Sequence, residues 1–318
     1  MREKLGYALT FLGVFLIVVA ILAQVYALDQ VKKTPIDADS LTTLSGRAIL
    51  NGPEGFEAFQ VKVYSTTRAD SDKSDGDVVV FENSSCVVRD EGGIDGCVSN
   101  DDPEQRLITA STDTFAADRI TALAVNDFKG LPADALPHEG LLNKWPFDAE
   151  KKTYPYWEGT TEQAVDAEFL RTDTIDGTEV YVYGVDVQEA PIEIAEGVPG
   201  LFSDTEEISI EPRTGSFVRV ERTVTQTTAD GTAVLYLKIA YTDDEVQESI
   251  DDANEAADGL HLVSSTIPLI GYIGGGICLV AGLALLLLGR RREDEEVDSS
   301  GGTNGSGGRR ISTEKASV

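Results

Sequence analysis

Positive charge, histidine and cysteine are all scarce in this chain. Its 318 residues include 26 Lys and Arg against 55 Asp and Glu, with two His and three Cys. The net charge of −29 repels phosphate groups, so we expect no binding of nucleic acid. His138 and His261 stand far apart, with no zinc-site spacing or nucleophile motif beside them. The sequence therefore predicts a protein that is not an enzyme and holds no metal or cofactor; a hydrolase without a recognisable motif is the alternative.

Charged residues are missing altogether from two long stretches, Leu5–Leu28 and Leu262–Gly289. A helix needs roughly 20 apolar residues to cross the hydrocarbon core of a bilayer, and both stretches exceed that length. Basic residues, which favour the cytoplasmic side, flank the outer ends of the two stretches at Arg2, Lys4 and 290–292. We therefore expect two helices in the cytoplasmic (cell) membrane, both termini in the cytoplasm, and an extracellular segment between the helices.

The two stretches divide the chain into four predicted parts. These are a cytoplasmic start with the first transmembrane helix (1–28), an exported acidic β-rich domain (29–261), the second transmembrane helix (262–289) and a disordered cytoplasmic tail (290–318), rich in Gly and Ser. The triplet 25–27 also fits a signal-peptidase site. The first stretch is long for a signal-peptide core, which favours an uncleaved anchor, but cleavage stays an alternative.

The exported part carries nearly all of the negative charge, with 48 Asp and Glu against 18 Lys and Arg. Repulsion of this size destabilises a compact state in dilute buffer, and high salt screens it. We interpret the composition as an adaptation to high salt, as in halophilic proteins. A specific basic partner is the alternative explanation.

Strand patterns dominate the exported part. Residues 59–68 alternate apolar and polar side chains, as a half-buried strand does. The Asp-Gly pairs at 176–177 and 230–231 each separate two apolar segments and predict hairpins. Thr242 and Glu245 then form a capping-box pattern ahead of a single apolar stripe. The predicted fold class is mainly β (α+β): an antiparallel sheet or sandwich with one C-terminal amphipathic helix, flanked by two transmembrane helices.

Two of the three cysteines, Cys86 and Cys97, lie in the exported part, where an oxidising environment preserves disulfides. The short, glycine-containing segment between them predicts a hairpin closed by a disulfide. A metal site is the weaker alternative, because neither histidine is near. Asn83-Ser84-Ser85 matches the acceptor sequence for N-glycosylation, so Asn83 is a candidate modification site.

Both tryptophans of the chain lie in the proline-rich segment 145–157. One interpretation is an aromatic-lined groove for an apolar or sugar-like ligand. Its candidate ligand-binding residues are Trp145, Phe147, Tyr154, Tyr156 and Trp157. The other interpretation is a loop held on the sheet by large side chains. A cavity lined by the tryptophans would favour binding, and a filled interior would favour a structural role.

The segment Gly140–Trp157, GLLNKWPFDAEKKTYPYW, resembles the central motif of the PorA-like family of two-span membrane proteins with a β-rich exported domain. The flanking organisation is similar as well, so the resemblance extends from Leu5 to Gly289. The family name implies a channel-forming protein. A membrane barrel needs an apolar belt facing lipid, which the acidic exported part lacks. A channel would therefore have to be built from oligomerised spans.

Small residues recur on both predicted spans. Gly6, Gly13 and Ala20 repeat every seven residues on the first span, while Gly271 and Gly275 form a small-xxx-small face on the second. The two helices could pack together, or Gly271 and Gly275 could mediate a homo-oligomer. We expect a membrane-anchored envelope protein with a structural or binding role, whose ligand is unknown. A carrier or receptor domain and a channel are the alternatives.

Overall fold

The computed structural model describes residues 2–300, which fall into two units. One unit is built from the two ends of the chain, up to Ala27 and from Leu262 onward, and the other is Leu28–His261. The helical elements in chain order are α1 (Arg2–Leu22), a π-helical turn (Ala23–Ala27), α2 (Leu28–Val31), α3 (Asp243–His261), a second π-helical turn (Leu262–Thr266) and α4 (Ile267–Ser300).

The first unit pairs α1 with α4, which contain the two uncharged stretches of the sequence. Within the described residues, two helices are long and apolar enough to cross a membrane, and they include α1 and α4. Helix α4 continues past Gly289, where the predicted span ends, to Ser300. Residues 301–318 lie outside the described part of the chain, so the disorder of the tail stays a prediction.

Helices α1 and α4 touch through their small residues. A Cβ atom added to Gly13 would lie 2.7 Å from the carbonyl oxygen of Gly275, and one on Gly275 would lie 2.8 Å from that of Gly13. A Cβ on Gly271 would lie 2.7 Å from the Cβ of Ala20. These positions leave no room for a larger side chain, so the backbones approach closely. The structure thus uses Gly271 and Gly275 within one chain and gives no support to the alternative, a homo-oligomer through them.

The described part of the second unit forms a single antiparallel sheet rather than a sandwich. Its ten strands are β1 (Asp39–Gly52), β2 (Gly55–Ala69), β3 (Val78–Arg89), β4 (Leu107–Asp118), β5 (Tyr154–Glu158), β6 (Gln163–Ile175), β7 (Thr178–Ala195), β8 (Val198–Ile210), β9 (Phe217–Thr228) and β10 (Ala233–Tyr241). Their order is β4-β3-β2-β1-β10-β9-β8-β7-β6-β5. Two meanders, β1–β4 and β5–β10, therefore meet where β1 pairs with β10.

The predicted turns join neighbouring strands as expected. Asp176 and Gly177 connect β6 to β7 with positive φ angles of 47° and 85°, the left-handed conformation that a tight hairpin requires. Gly231, with φ of 86°, turns the chain between β9 and β10. Both hairpins predicted from Asp-Gly pairs are confirmed.

The long loop between β4 and β5 links the two edges of the sheet. The Val125 N–H donates to the Ala116 carbonyl at 2.8 Å, and the Ala124 N–H donates to the Gly140 carbonyl at 2.9 Å. On the other side, the Leu141 N–H donates to the Pro155 carbonyl at 2.8 Å. The edge strands β4 and β5 are thereby connected through loop backbone, and the sheet curls round an inner face.

Side chains alternate between the two faces of this sheet. Tyr183 of β7 belongs to the main apolar cluster of the inner face, whereas Val180 and Val182 pack on the opposite face. There they contact Ile250 and Ala253 of α3. The single apolar stripe predicted for this helix is therefore the surface that it buries.

Helix α3 begins after the predicted cap, although only half of the capping box forms. The Glu245 N–H donates to Thr242 Oγ1 at 3.2 Å, as a capping threonine requires. The Glu245 carboxylate instead accepts from the N–H of Thr43 on β1 at 2.8 Å. The Thr242 N–H is already used, because it donates to the Thr43 carbonyl at 3.2 Å.

The predicted disulfide is confirmed, but the predicted hairpin around it is wrong. Cys86 lies on β3 and Cys97 in the loop that follows, with a Cα–Cα distance of 5.9 Å. Gly92, Gly93 and Gly96 have positive φ angles, which no regular strand adopts. The segment therefore folds as a loop over Tyr64 and Cys86 on the outer face, where Ile94 is buried.

Candidate functional site: a polar cavity beside a buried charge cluster

A cavity of about 760 Å³ opens in the second unit. Its walls come from β3 and β4 on one side, from β5 and the turn after it on the other, and from the β4–β5 loop at 132–136. Arg222 of β9 reaches it from across the sheet. The volume falls within the range of roughly 300–1,000 Å³ that is usual for small-molecule sites.

The β3 and β4 side of the cavity is polar. Asn83 pairs with Asp113, and Ser85 pairs with Ser111, across the ladder between these strands. Directly opposite residues of an antiparallel pair point to the same face. This register continues from Ser85 through β2, so the four polar side chains belong to the inner face. The hydroxyl oxygens of Ser85 and Ser111 lie 3.0 Å apart.

Trp157 lines the cavity, and the buried His138 packs against it. Their ring centroids lie 4.7 Å apart, and the ring centroids of His138 and Phe115 lie 5.7 Å apart. His138 is buried, with its Nε2 at 2.8 Å from Asp113 Oδ2. The Asn126 side chain also makes two hydrogen bonds with the His138 backbone, at 2.8 and 2.9 Å. These bonds fasten the neck of the loop whose tip contributes to the cavity wall.

Arg222 joins the cavity to a cluster of buried carboxylates. Its Nε donates to Asp204 Oδ2 at 2.9 Å, and its Nη2 donates to Glu158 Oε1 at 2.9 Å. Glu158 also accepts the backbone N–H groups of Thr160 and Thr161, at 3.1 and 2.6 Å. Glu158, Asp204 and Glu206 are only 3%, 1% and 7% exposed. Three carboxylates thus surround one guanidinium group.

Burial dominates the acid–base properties of this cluster. It raises the pKa of Glu206 to about 7, although the charge of Arg222 opposes the rise. Burial also raises the pKa of Asp204, again partly offset by Arg222. Asp204 Oδ1 has no hydrogen-bond partner among the described residues. Both shifts favour the protonated, neutral carboxyl groups, so burial limits the negative charge around Arg222.

Sequence reasoning missed this cluster. On the inner face of β8, Asp204 and Glu206 stand between Phe202 and Ile208. Two carboxylates thus occupy positions where apolar residues are usual. Acidic residues are so common in this chain that neither position stands out in the sequence. The one available signal was Arg222, a basic residue within an apolar strand pattern of a chain that has few basic residues.

The structure brings three of the five predicted ligand-binding residues together, in the apolar cluster and not in the cavity. Trp145 is buried in the apolar cluster, with ring centroids 4.9 Å from Tyr183 and 5.5 Å from Tyr156. Tyr154 packs edge-on against Trp145, at 6.4 Å. Trp157 alone of the five lines the cavity.

The two remaining predicted residues, Phe147 and Asn83, are in contact with neighbouring side chains. Phe147 carries the Lys144 ammonium group 3.8 Å above its ring. Asn83 is half-buried in the cavity wall, and its Nδ2 donates to Thr67 Oγ1 at 2.8 Å and to Ser65 Oγ at 3.2 Å. Its amide is therefore in use within the folded domain, and glycosylation there stays a prediction.

A curled antiparallel sheet with a polar cavity, carried in one chain with two apolar helices, defines a membrane-associated protein with a β-rich domain. The family model described as Porin PorA matches residues 5–284. The chain therefore belongs to the PorA porin family, which confirms the resemblance found in the sequence. Family membership and the two apolar helices indicate a protein of a membrane or the cell envelope.

Two further comparisons are more distant. A protein named Porin PorA from Corynebacterium amycolatum is 24% identical over an alignment of 225 positions, and the match covers 59% of this chain and 58% of the relative. The chain thus spans less than two thirds of that relative. A solved structure described as an outer membrane lipoprotein-sorting protein domain from Vibrio parahaemolyticus is 10% identical and covers 69% of this chain and 93% of its own. Its TM-score of 0.15 is too low to indicate a shared fold.

Proposed function

We propose that the protein is a membrane-anchored envelope protein whose exported β domain binds a polar, hydroxyl-rich ligand such as a sugar. The cavity between β4 and β5 is the observation that carries this proposal. It combines one aromatic ring, Trp157, with hydroxyl and carboxylate side chains and the donor groups of Arg222. A sugar offers an apolar C–H face for the ring and hydroxyls that both donate and accept.

The polarity of the wall separates this ligand from a lipid. Apolar pockets are lined mainly by aliphatic and aromatic side chains. Here Ser85, Ser111 and Asp113 stand on the inner face where a lipid site would need apolar groups. The role is one of binding, without a chemical step.

Topology is part of the proposal. The two helices anchor the protein in the cytoplasmic membrane with both termini inside, and the acidic surface suits a salty exterior. The basic residues outside both apolar stretches support this orientation. The Cys86–Cys97 disulfide fits an oxidising compartment. Protease added to intact cells should remove the β domain and spare the C-terminal tail; loss of the tail with survival of the domain would contradict the topology.

Ligand-observed NMR tests the binding function. The purified full-length protein in detergent would be mixed with a panel of mono- and disaccharides, and saturation transfer to each sugar measured. We expect transfer to at least one sugar, its loss in Trp157→Ala, and its retention in Trp145→Phe. The two tryptophans make a matched pair, because only Trp157 lines the cavity. Equal transfer from all three proteins would contradict the proposal.

A channel is the second candidate, favoured by membership of a family described as porins. Helices α1 and α4 touch at Gly13 and Gly275 with no room for side chains, so one pair encloses no aqueous path. A channel would need several copies of the chain. Single-channel recordings in planar bilayers, made on separated oligomeric states, would support it by stepwise conductance. Silence in every state would remove it.

A further inference from the structure

The strand β4 borders the cavity with the backbone of its edge. Four consecutive residues of this strand, Ser111–Thr114, line the cavity. Neighbouring side chains of a strand point to opposite faces of the sheet, so a cavity that meets all four residues must lie beside the strand. β4 is the terminal strand of the sheet order, and the cavity therefore lies along the side of β4 that faces away from β3.

Loop backbone covers one end of this edge. The Val125 N–H donates to the Ala116 carbonyl at 2.8 Å, and the Asp118 N–H donates to the Leu123 carbonyl at 2.9 Å. Ala116 and Asp118 therefore point their backbone groups away from β3. For these two residues, the loop supplies the hydrogen bonds that a neighbouring strand supplies inside a sheet.

The other end of the edge has no such cover. The register between β3 and β4 is unbroken from Thr109 to Asp118, and outward-facing residues alternate along an antiparallel strand. Ala110, Thr112 and Thr114 therefore also point their backbone groups away from β3. Among the described residues, these outward groups have no backbone hydrogen-bond partner. They form the free edge of β4, a row of donors and acceptors that can pair with another strand.

The free edge of β4 also lacks the charges that usually discourage strand pairing. Natural sheets often protect exposed edges with charged side chains. From Glu168 onward, β6 extends beyond β5 as a second uncovered edge, and it carries Glu168, Arg171 and Asp173. In β4, no residue from Leu107 to Thr112 is charged, although 25% of the chain is. An unprotected edge in so charged a chain indicates that a partner strand covers it.

The surroundings favour a single extended segment over a second copy of this chain. The loop at 132–136 and the residues 157–162 border the same cavity as the free edge, so an incoming strand must fit between these walls and β4. One extended segment needs a strand spacing of about 4.8 Å, whereas a copy brings a whole folded domain. A copy would also bring a second Asp113 and a net charge of −29, which repels its like.

We propose that an extended, uncharged segment of a partner protein adds to the free edge of β4 as a further strand of the sheet. Main-chain hydrogen bonds hold such a segment, and its alternate side chains give specificity. Those that point inward meet Ser111 and Asp113, and serine or threonine pairs well across a ladder, so we assign the segment serine or threonine at alternate positions. This inference goes beyond the sugar site, because it uses the backbone of β4 and not the ring of Trp157.

Binding of the purified full-length protein in detergent to an array of seven-residue peptides tests the inference. Each peptide has serine or threonine at alternate positions and varied uncharged residues between them. We expect at least one peptide to bind. Methylating alternate backbone nitrogens of a binder in one register should weaken it at least tenfold, because the N–H groups that pair with β4 are lost. Methylation in the other register should leave binding within threefold.

Two variants at one exposed position test the same hydrogen bonds from the side of the protein. Thr112→Pro removes an outward N–H, and proline is tolerated where the N–H of an edge strand faces solvent. Thr112→Ala keeps the N–H and removes only the side-chain hydroxyl and methyl groups. We expect Thr112→Pro to weaken every binder at least tenfold and Thr112→Ala to weaken it less than threefold. Urea unfolding checks that both variants fold, and the methylated peptides decide the question if Thr112→Pro does not.

The outcomes are distinct from those of the sugar experiment. Absence of any binder would overturn the inference, as would binding that survives both Thr112→Pro and methylation in either register. A dimer of the protein that Thr112→Pro dissociates would assign the edge to a second copy and overturn the peptide segment. Trp157→Ala should abolish sugar binding and spare peptide binding, and Thr112→Pro should do the reverse, so failure of one proposal leaves the other standing.

Discussion

The inner face of the curled sheet has a filled half and a hollow half. In the filled half, Trp145 belongs to one buried apolar cluster with Tyr183 of β7 and Phe202 and Ile208 of β8. In the hollow half, the inner positions in the middle of β3 and β4 hold Asn83, Ser85, Ser111 and Asp113. The apolar pair Phe81 and Phe115 closes the same face at one end of this polar stretch.

The backbone pattern is the same on both sides, so the side chains decide where the interior closes. Large apolar groups close the filled half, and a tryptophan inserted from the β4–β5 loop completes it. Short polar groups leave the hollow half open, and the cavity lies there. The border between the halves runs through Arg222 and its carboxylates. Arg222 and Glu158 line the cavity, whereas Asp204, which is also paired with Arg222, is buried on β8 beside the apolar core.

The largest loss of stability should come from removing a large side chain from the filled half. Trp145→Ala removes a fully buried ring that contacts four other aromatic rings, and we expect it to lower the free energy of unfolding by roughly 3–5 kcal/mol. Urea unfolding followed by circular dichroism measures this. Trp145→Phe is the control, and it should cost less because it keeps most of the volume. A small effect of Trp145→Ala would mean that this half is not filled.

The second-largest loss of stability should come from removing the positive charge of Arg222. Arg222→Met leaves Glu158 and Asp204 buried without their cation, and loss of one partner of a buried pair costs about 3 kcal/mol or more. Thermal unfolding should show a lower Tm. The triple variant with Glu158→Gln and Asp204→Asn should regain part of the loss, since the uncompensated charges are gone. No recovery would indicate that Arg222 stabilises mainly through packing.

The buried carboxylates around Arg222 should also make stability depend on pH. The pKa of Glu206 is about 7 in the folded protein, against 4.5 for the free side chain, so the folded state binds more protons between these values. Stability from this group is then fully present below pH 4.5 and is lost as the pH rises through 7, by about 1–3 kcal/mol. Comparing unfolding of the parent and Glu206→Gln from pH 5 to 8 isolates the contribution. An identical pH profile in the two proteins would count against it.

The smallest stability effect should come from the hollow half. Trp157→Ala removes a half-buried ring that borders the cavity and contacts His138, and we expect a loss of about 1 kcal/mol. The comparison with Trp145→Ala, measured in the same urea titrations, sharpens the contrast between the halves. Similar losses for both tryptophans would erase the distinction between core and cavity.

Much of the fold could be predicted because its causes are local. The Asp-Gly pair at 176–177 allows the left-handed turn that its hairpin needs, and Thr242 caps α3 directly. The period-2 pattern of 59–68 lies within β2 as one strand. The hairpin expected between Cys86 and Cys97 failed because three glycines with positive φ carry that segment away from the sheet.

The candidate site could be predicted only in part, because it depends on contacts between distant strands. Trp157 was among the predicted residues, but its neighbours in sequence, Trp145 and Tyr154, point into the filled half. Arg222 and Glu158 are 64 residues apart in sequence, and no local pattern connects them.

Sequence by itself determined that two apolar helices accompany an acidic, β-rich domain with a disulfide, because length, charge and residue spacing act along the chain. Only the tertiary structure decided that the β4–β5 loop joins the sheet edges and that three carboxylates surround one arginine. It also decided that Trp145 lies in the core while Trp157 lines the cavity. Burial and pairing are properties of groups brought together from far along the chain, and they exist only once the sheet has curled.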